Sequence, residues 1–220
     1  MSEEDPIEQE LGPSADESPR RRVAASPRRS SRAIFLDRDG TLNEEVGYIT
    51  DPSQFRLYDF AAEAVRRINQ AGRLAIVLTN QSGIARGLYD EAFLGEVHAG
   101  MQAALARADA RIDGIYYCPH HPEIGAPPYR QPCDCRKPKP GMMLRAAREF
   151  DLDLASCVMI GDRYGDVATA HAAGARGVLL LSGHGAKEYE REREGWPRPP
   201  DHIAETLIEA VRWALEECEF

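Results

Sequence analysis

The sequence predicts a doubly wound α/β domain with a mostly parallel sheet. Three features carry that expectation. Short runs that are apolar at every position recur at Ala33 to Leu36, Leu74 to Leu78, Cys157 to Ile160 and Val178 to Leu181, as expected of strands buried on both faces. Stretches with helical spacing separate them, and strand–helix alternation through right-handed crossovers gives a parallel sheet. Polar, glycine-bearing segments follow the runs directly, at the strand ends where open α/β sheets hold ligands.

Taken in order, the first strand is followed by an irregular stretch from Asn43 to Tyr58 and by a helix over Ala61 to Ala71 that Gly72 ends. Leu74 to Leu78 is the second strand. A longer helix over Glu91 to Ala108 places Phe93, Leu94, Val97, Met101, Ala104 and Leu105 on an inner face, and His98 within it reads as core or solvated face rather than site. Ile112 to Tyr117 reads as the third strand, Gly141 to Phe150 as a helix, Cys157 to Ile160 as the fourth strand, Val178 to Leu181 as the fifth and Ile203 to Glu217 as the closing helix. No internal repeat or second folded domain is expected.

At 220 residues, 43% of them hydrophobic, the chain can bury one substantial core. Its net charge of -9 argues against nonspecific nucleic-acid binding, which needs basic surface. No apolar run reaches the length of a membrane span, so no membrane partner is expected. Five cysteines at 118, 133, 135, 157 and 218, odd in number and clustered, fit a reducing cytoplasm and a metal site better than a disulfide framework. Residues 1–31 are expected to be a disordered charged tail: seven acidic residues lie between 3 and 17, and arginines with Ser, Pro and Ala follow. No apolar h-region follows the arginines, so export is not expected. A solvated tail is favoured over an arm for an acidic partner, and residues 32–220 form the domain.

The chemistry concentrates in four segments. Asp37-Arg38-Asp39-Gly40-Thr41 ends the first strand with two carboxylates that the turn at Gly40 can bring to one pocket, one to attack and one to handle protons. Thr79-Asn80-Gln81 offers a hydroxyl and two amides to phosphoryl oxygens. Arg136-Lys137-Pro138-Lys139-Pro140-Gly141 places cations before a helix N-terminus, and Gly161-Asp162-Arg163-Tyr164-Gly165-Asp166 adds carboxylates beyond the fourth strand, with Asp162 able to share a hard cation with Asp37. Each segment alone also reads as an ordinary turn, solvated loop or helix cap. All four in order on strand ends do not.

In these four motifs the sequence resembles the haloacid dehalogenase (HAD) superfamily. The resemblance implies that Asp37 is a nucleophile and Asp39 a general acid/base, with Thr79 and Lys137 holding the phosphoryl group and Asp166 supporting. It further implies Mg²⁺ held by the side chains of Asp37 and Asp162 and the backbone carbonyl of Asp39, on a sheet with the first and fourth strands adjacent. Only 41 residues separate Asp37 from Thr79 and 24 separate Lys137 from Asp162, too few for an inserted cap domain, so an open site is expected.

Between the third strand and Lys137 lie Cys118-Pro119-His120 and, after twelve intervening residues, Cys133-Asp134-Cys135. A Cys₃His set of four ligands indicates a structural Zn²⁺ stapling the intervening loop. His121 is an alternative to His120, but the paired spacing favours His120. Cys157 and Cys218 read as buried structural residues.

The zinc loop together with a capless core resembles the bacterial D,D-heptose 1,7-bisphosphate phosphatases. That likeness implies removal of the C7 phosphate in heptose synthesis for lipopolysaccharide or surface glycans. It also implies substrate contacts at Glu45, Val46, Gly47 and Tyr48, at Thr79, Asn80, Gln81 and Ser82, and at Arg136, Lys137 and Arg163. Arg163 departs from the Lys common in that family, and the family gives no role for the long N-terminal tail. Histidinol-phosphate phosphatases, which share the core and zinc loop with a generally shorter ligand span, are the runner-up. A polynucleotide phosphatase is disfavoured by the acidic chain and a non-enzymatic zinc module by the complete set of reacting residues. The expected partner is a small sugar bisphosphate, acted on by a cytoplasmic monomer.

Overall fold

The structure, a computed structural model, describes residues 32–217. The expected tail and Cys218 lie outside the described residues. The sheet comprises β1 (Ala33–Leu36), β2 (Leu74–Asn80), β3 (Gly114–Cys118), β4 (Val158–Gly161), β5 (Arg176–Leu180) and β6 (His202–Ala204), in the order β3-β2-β1-β4-β5-β6 with every neighbouring pair parallel. β1 is central, with Phe35 facing Ile76 on one side and Met159 on the other.

Alternate side chains of a strand face opposite ways, and the two layers follow from that. Ile34 and Leu36 pack, with Val77, against α1 (Ala61–Gln70), α2 (Glu91–Ala106) and α6 (Leu207–Glu217), through Val65, Ile68, Met101 and Val211. Ala33 and Phe35 face the other side, where α3 (Gly141–Phe150) contributes Met142, Met143 and Ala146 and α4 (Tyr164–Ala173) contributes Ala170. Full burial of side chains such as Phe35 and Leu36 stabilises by about 1.5–3 kcal/mol each. Local signals set the helix ends: the Asp90 carboxylate accepts from the backbone N–H of Phe93 at the start of α2, and α4 stops at Gly174, whose φ of 82° suits a residue without a Cβ.

Several elements differ from the sequence expectation. His202 to Ala204 is an edge strand paired with β5, and the last helix begins at Leu207 rather than Ile203; three residues are too few to show a period. α4 and α5 (Gly185–Glu192) were not read as helices. α4 is rich in small residues, and α5, with the sequence GAKEYERE, carries too few apolar side chains for a stripe. β2 and β3 also run past their expected ends, so that Thr79 and Asn80 pair with Tyr117 and Cys118 inside the sheet.

Candidate active site

The four motifs converge at the carboxyl ends of β1, β2 and β4. Asp37 leaves β1 with its backbone N–H still bonded to the carbonyl of Ile160 at 2.9 Å, and the chain then tightens, the N–H groups of Leu42 and Asn43 both donating to the carbonyl of Arg38. Gly40 makes the turn possible at φ 79°, and a Cβ there would run into the Asp162 carboxylate. The Asp37 Oδ1 accepts from the N–H of Arg38 at 2.7 Å and from Lys137 Nζ at 2.8 Å, which fixes the carboxylate plane.

Lys137 reaches the site from the loop before α3. Its Nζ contacts Asp166 Oδ1 at 2.6 Å and donates to the carbonyl of Leu78 at 2.8 Å. Burial works against its charge, but the Asp166 and Asp37 carboxylates outweigh burial and raise its pKa, so it stays a cation. Asn80 spends its amide on the Lys137 backbone, Nδ2 donating to the carbonyl at 3.2 Å and Oδ1 accepting from the N–H at 3.0 Å. Asn80 therefore positions the lysine from β2, while Asp166 pairs with its ammonium group.

Asp37, Asp162 and Asp166 bring carboxylate oxygens within 4.8 Å of one another. Burial pushes Asp37 up to about 7, with Lys137 offsetting only part of it, and burial with the Asp37 charge pushes Asp162 up to about 8. An all-oxygen, electron-rich seat of this kind suits a hard divalent cation. Because both pKa values are raised on folding, the stability linked to these groups is full below pH about 4 and is lost as pH rises through about 7 to 8. A cation favours the ionised forms and opposes that loss. Mg²⁺ should therefore raise the melting temperature little at about pH 5.5 and considerably more at about pH 8.5; an increment equal at both pH values would rule out this seat.

Above these groups opens a cavity of about 730 Å³. Asp37, Asp39, Thr79, Lys137 and Asp166 line its floor, and Glu45, Gly47, Tyr48, Asn80, Ser82, Arg136 and Arg163 also border it. Asp162 lies beneath, almost fully buried. Two expected substrate contacts do not border the cavity. Val46 points to solvent, and the buried Gln81 turns inward to Asp39 and Thr79. Arg163 is braced by Glu188 of α5 at 3.0 Å. His184 also lines the cavity, its Nε2 3.7 Å from Glu45 Oε2 and its backbone N–H donating to Asp162. It was missed, although Ser182-Gly183-His184-Gly185 after β5 carries the same signal, polar and glycine residues beyond an apolar run, that located the other motifs.

Cys118, His120, Cys133 and Cys135 come together beside the site. All four ligand atoms lie within 4.8 Å of one another, and Cys118 to His120, Cys133 and Cys135, and His120 to Cys135, are 3.1–3.8 Å apart, close to the edge of a tetrahedron with metal–sulfur bonds of about 2.3 Å. These four residues could hold a metal. His121 is occupied otherwise, its Nδ1 accepting from the backbone N–H groups of Glu123 and Ile124.

An aspartate pair, a buried lysine and a cation seat around β1 of a parallel sheet define a phosphoric monoester hydrolase of the HAD class, and residues 134–210 match the HAD-hydrolase-like family. The chain is 39% identical over 183 residues to the D-glycero-beta-D-manno-heptose-1,7-bisphosphate 7-phosphatase of Haemophilus influenzae, covering 83% of this chain and 96% of that one. It is 46% identical over 153 residues to the protein of the same name from Escherichia coli, covering 70% and 80%. A crystal structure of D,D-heptose 1,7-bisphosphate phosphatase from B. bronchiseptica, complexed with magnesium and phosphate, superposes with a TM-score of 0.75 at 34% identity, over 85% of this chain and 99% of that one. The chain belongs to the heptose-1,7-bisphosphate 7-phosphatase family of HAD hydrolases.

Proposed function

We propose that the chain removes the C7 phosphate of D-glycero-beta-D-manno-heptose 1,7-bisphosphate through a phosphoryl group carried on Asp37, in a cytoplasmic route to heptose-containing lipopolysaccharide or related glycans. The observation that carries this reading is the convergence of Asp37, Thr79 and Lys137 on the floor of a cavity whose border adds Arg136 and Arg163, cations for a second phosphate, in a member of this family. The chain acts as a monomer, with no nucleic-acid or membrane partner; among the described residues no helix is long and apolar enough to cross a membrane.

Lys137 and Thr79 orient the reacting phosphoryl group against Asp37. A carboxylate oxygen of Asp37 bonds to phosphorus as the bond from phosphorus to the C7 oxygen breaks, and Asp39 gives that oxygen its proton. Asp39 then takes a proton from the water that attacks phosphorus, which releases inorganic phosphate and restores Asp37. The side chains of Asp37 and Asp162 and the backbone carbonyl of Asp39 would hold Mg²⁺, which would supply positive charge against the phosphoryl oxygens. Cys118, His120, Cys133 and Cys135 hold a structural Zn²⁺.

The test compares kcat/KM for the bisphosphate with that for histidinol phosphate and identifies the product. The bisphosphate is expected to be preferred by at least about a hundredfold, through contacts that a monophosphate cannot make, and to yield the 1-phosphate. Preference for histidinol phosphate, or loss of the C1 phosphate, would overturn the substrate assignment and leave the phosphatase chemistry standing.

A further inference from the structure

The Asp39 side chain is held by more donors than a free acid/base would need, and the donors are themselves anchored. Its Oδ1 accepts from Arg38 Nε at 3.1 Å, from Arg38 Nη2 at 2.9 Å and from Asn43 Nδ2 at 3.0 Å. Its Oδ2 accepts from Arg38 Nη2 and from Gln81 Nε2, each at 2.9 Å. Arg38 is 2% exposed, and its remaining arm, Nη1, lies 3.2 Å from Nε2 of the buried His98 on α2. Burial and the neighbouring Arg38 charge hold His98 down to about 4, so the ring is neutral and its Nε2 can accept. Gln81 is fixed from the other side by the Tyr89 hydroxyl, which donates to Oε1 at 2.7 Å. That bond sets which way the amide points and sends Nε2 to Asp39 and to Thr79 Oγ1. Gly83 leaves the room for this, since a Cβ there would occupy the place of the Tyr89 ring.

We propose that Arg38, backed by His98, and Gln81, backed by Tyr89, are positioning residues that aim Asp39 at the leaving oxygen. None of the four side chains lines the cavity above Asp37; both pairs act through Asp39. Oδ1 carries three donors and is the anchored oxygen. Oδ2 carries two and is the one that delivers the proton as the ester bond breaks and recovers one from water in the second step. Gln81 couples the same device to Thr79. The proposal rests on Asp39 being the general acid, and it moves Gln81 from a substrate contact to a support of that acid.

A leaving-group comparison separates aim from structure. A sugar alkoxide needs a proton to depart, whereas p-nitrophenolate does not, and kcat/KM reports the step in which the leaving group departs. The variants are Arg38→Met, Gln81→Leu and Tyr89→Phe, each assayed on the heptose bisphosphate and on p-nitrophenyl phosphate, with Asp39→Asn as reference and melting curves for all. Arg38→Met and Gln81→Leu are expected to lose about ten- to a hundredfold more on the alkyl ester than on the aryl ester. Tyr89→Phe, which removes one hydroxyl and keeps the ring, is expected to show a smaller loss of the same kind. Equal losses on both esters, with Asp39→Asn still selective, would overturn the positioning role alone. An unselective Asp39→Asn would overturn the acid assignment and the proposal with it. Should Arg38→Met fail to fold, Gln81→Leu and Tyr89→Phe decide the matter.

Discussion

Asp37→Asn should abolish turnover, lowering kcat by about 10⁴-fold or more, while leaving the fold in place. The substitution removes an attacking oxygen anion and a cation ligand in one step and changes almost nothing in volume. Lys137 keeps its other two partners, Asp166 Oδ1 and the carbonyl of Leu78, so the phosphate-binding cation is not set adrift. The buried Asp37 carboxyl already resists ionisation, with a pKa near 7, so a neutral amide in its place should cost little stability near neutral pH. Phosphate release measured alongside thermal melting checks both halves. Near-normal turnover by protein free of the parent enzyme would remove Asp37 from the chemistry. Inactivity accompanied by unfolding would show instead that the residue is structural.

What could be read in advance depended on how much each feature rests on local sequence. β1, β2 and β4 are apolar at nearly every position because both faces are covered, and that pattern needs no tertiary knowledge. The groups that meet at the cavity floor were legible for a related reason: in a parallel sheet a polar residue after a buried strand has one place to go. α5 and β6 were not legible. α5 is charged along its length and β6 is three residues at the edge of the sheet, so tertiary pairing rather than periodicity decides their conformation. Gln81 shows the finer limit. Its neighbours Asn80 and Ser82 border the cavity, and side chains alternate along an extended segment, but only the approach of Tyr89 from eight residues away reveals that this amide faces Asp39. His98 is similar. The helical pattern left it as core or solvated face, and its contact with Arg38 depends on how α2 lies against the start of the site.

Removing the Zn²⁺ proposed for the cysteine cluster should loosen one loop and slow the enzyme without unfolding the sheet. Between Cys118 and Lys137 no residue is buried, so this segment has no core of its own, and a structural Zn²⁺ can contribute on the order of 10 kcal/mol to an otherwise unstable fold element. The sheet does not share that dependence, because both layers of apolar side chains lie against it. The effect should nonetheless reach the active site. Cys135 precedes Lys137 by two residues, Arg136 Nη1 lies 3.4 Å from the carbonyl of His120, and the first residue of α3, Gly141, donates its N–H to the carbonyl of Asp134 at 3.0 Å. Asn80 and Asp166 would still grip Lys137, which limits the damage. Metal analysis should find about one Zn²⁺ per chain. Chelation followed by return of Mg²⁺ alone, or Cys135→Ser, should open cleavage sites between residues 119 and 136 and lower kcat/KM by about ten- to a hundredfold through misplacement of Arg136 and the lysine backbone. The far-ultraviolet circular dichroism should be almost unchanged, since the strands and helices stay formed. A protein shown to be free of zinc, yet fully active and resistant to protease across that loop, would mean that the four ligands hold no structural metal and that the loop is fixed by other contacts.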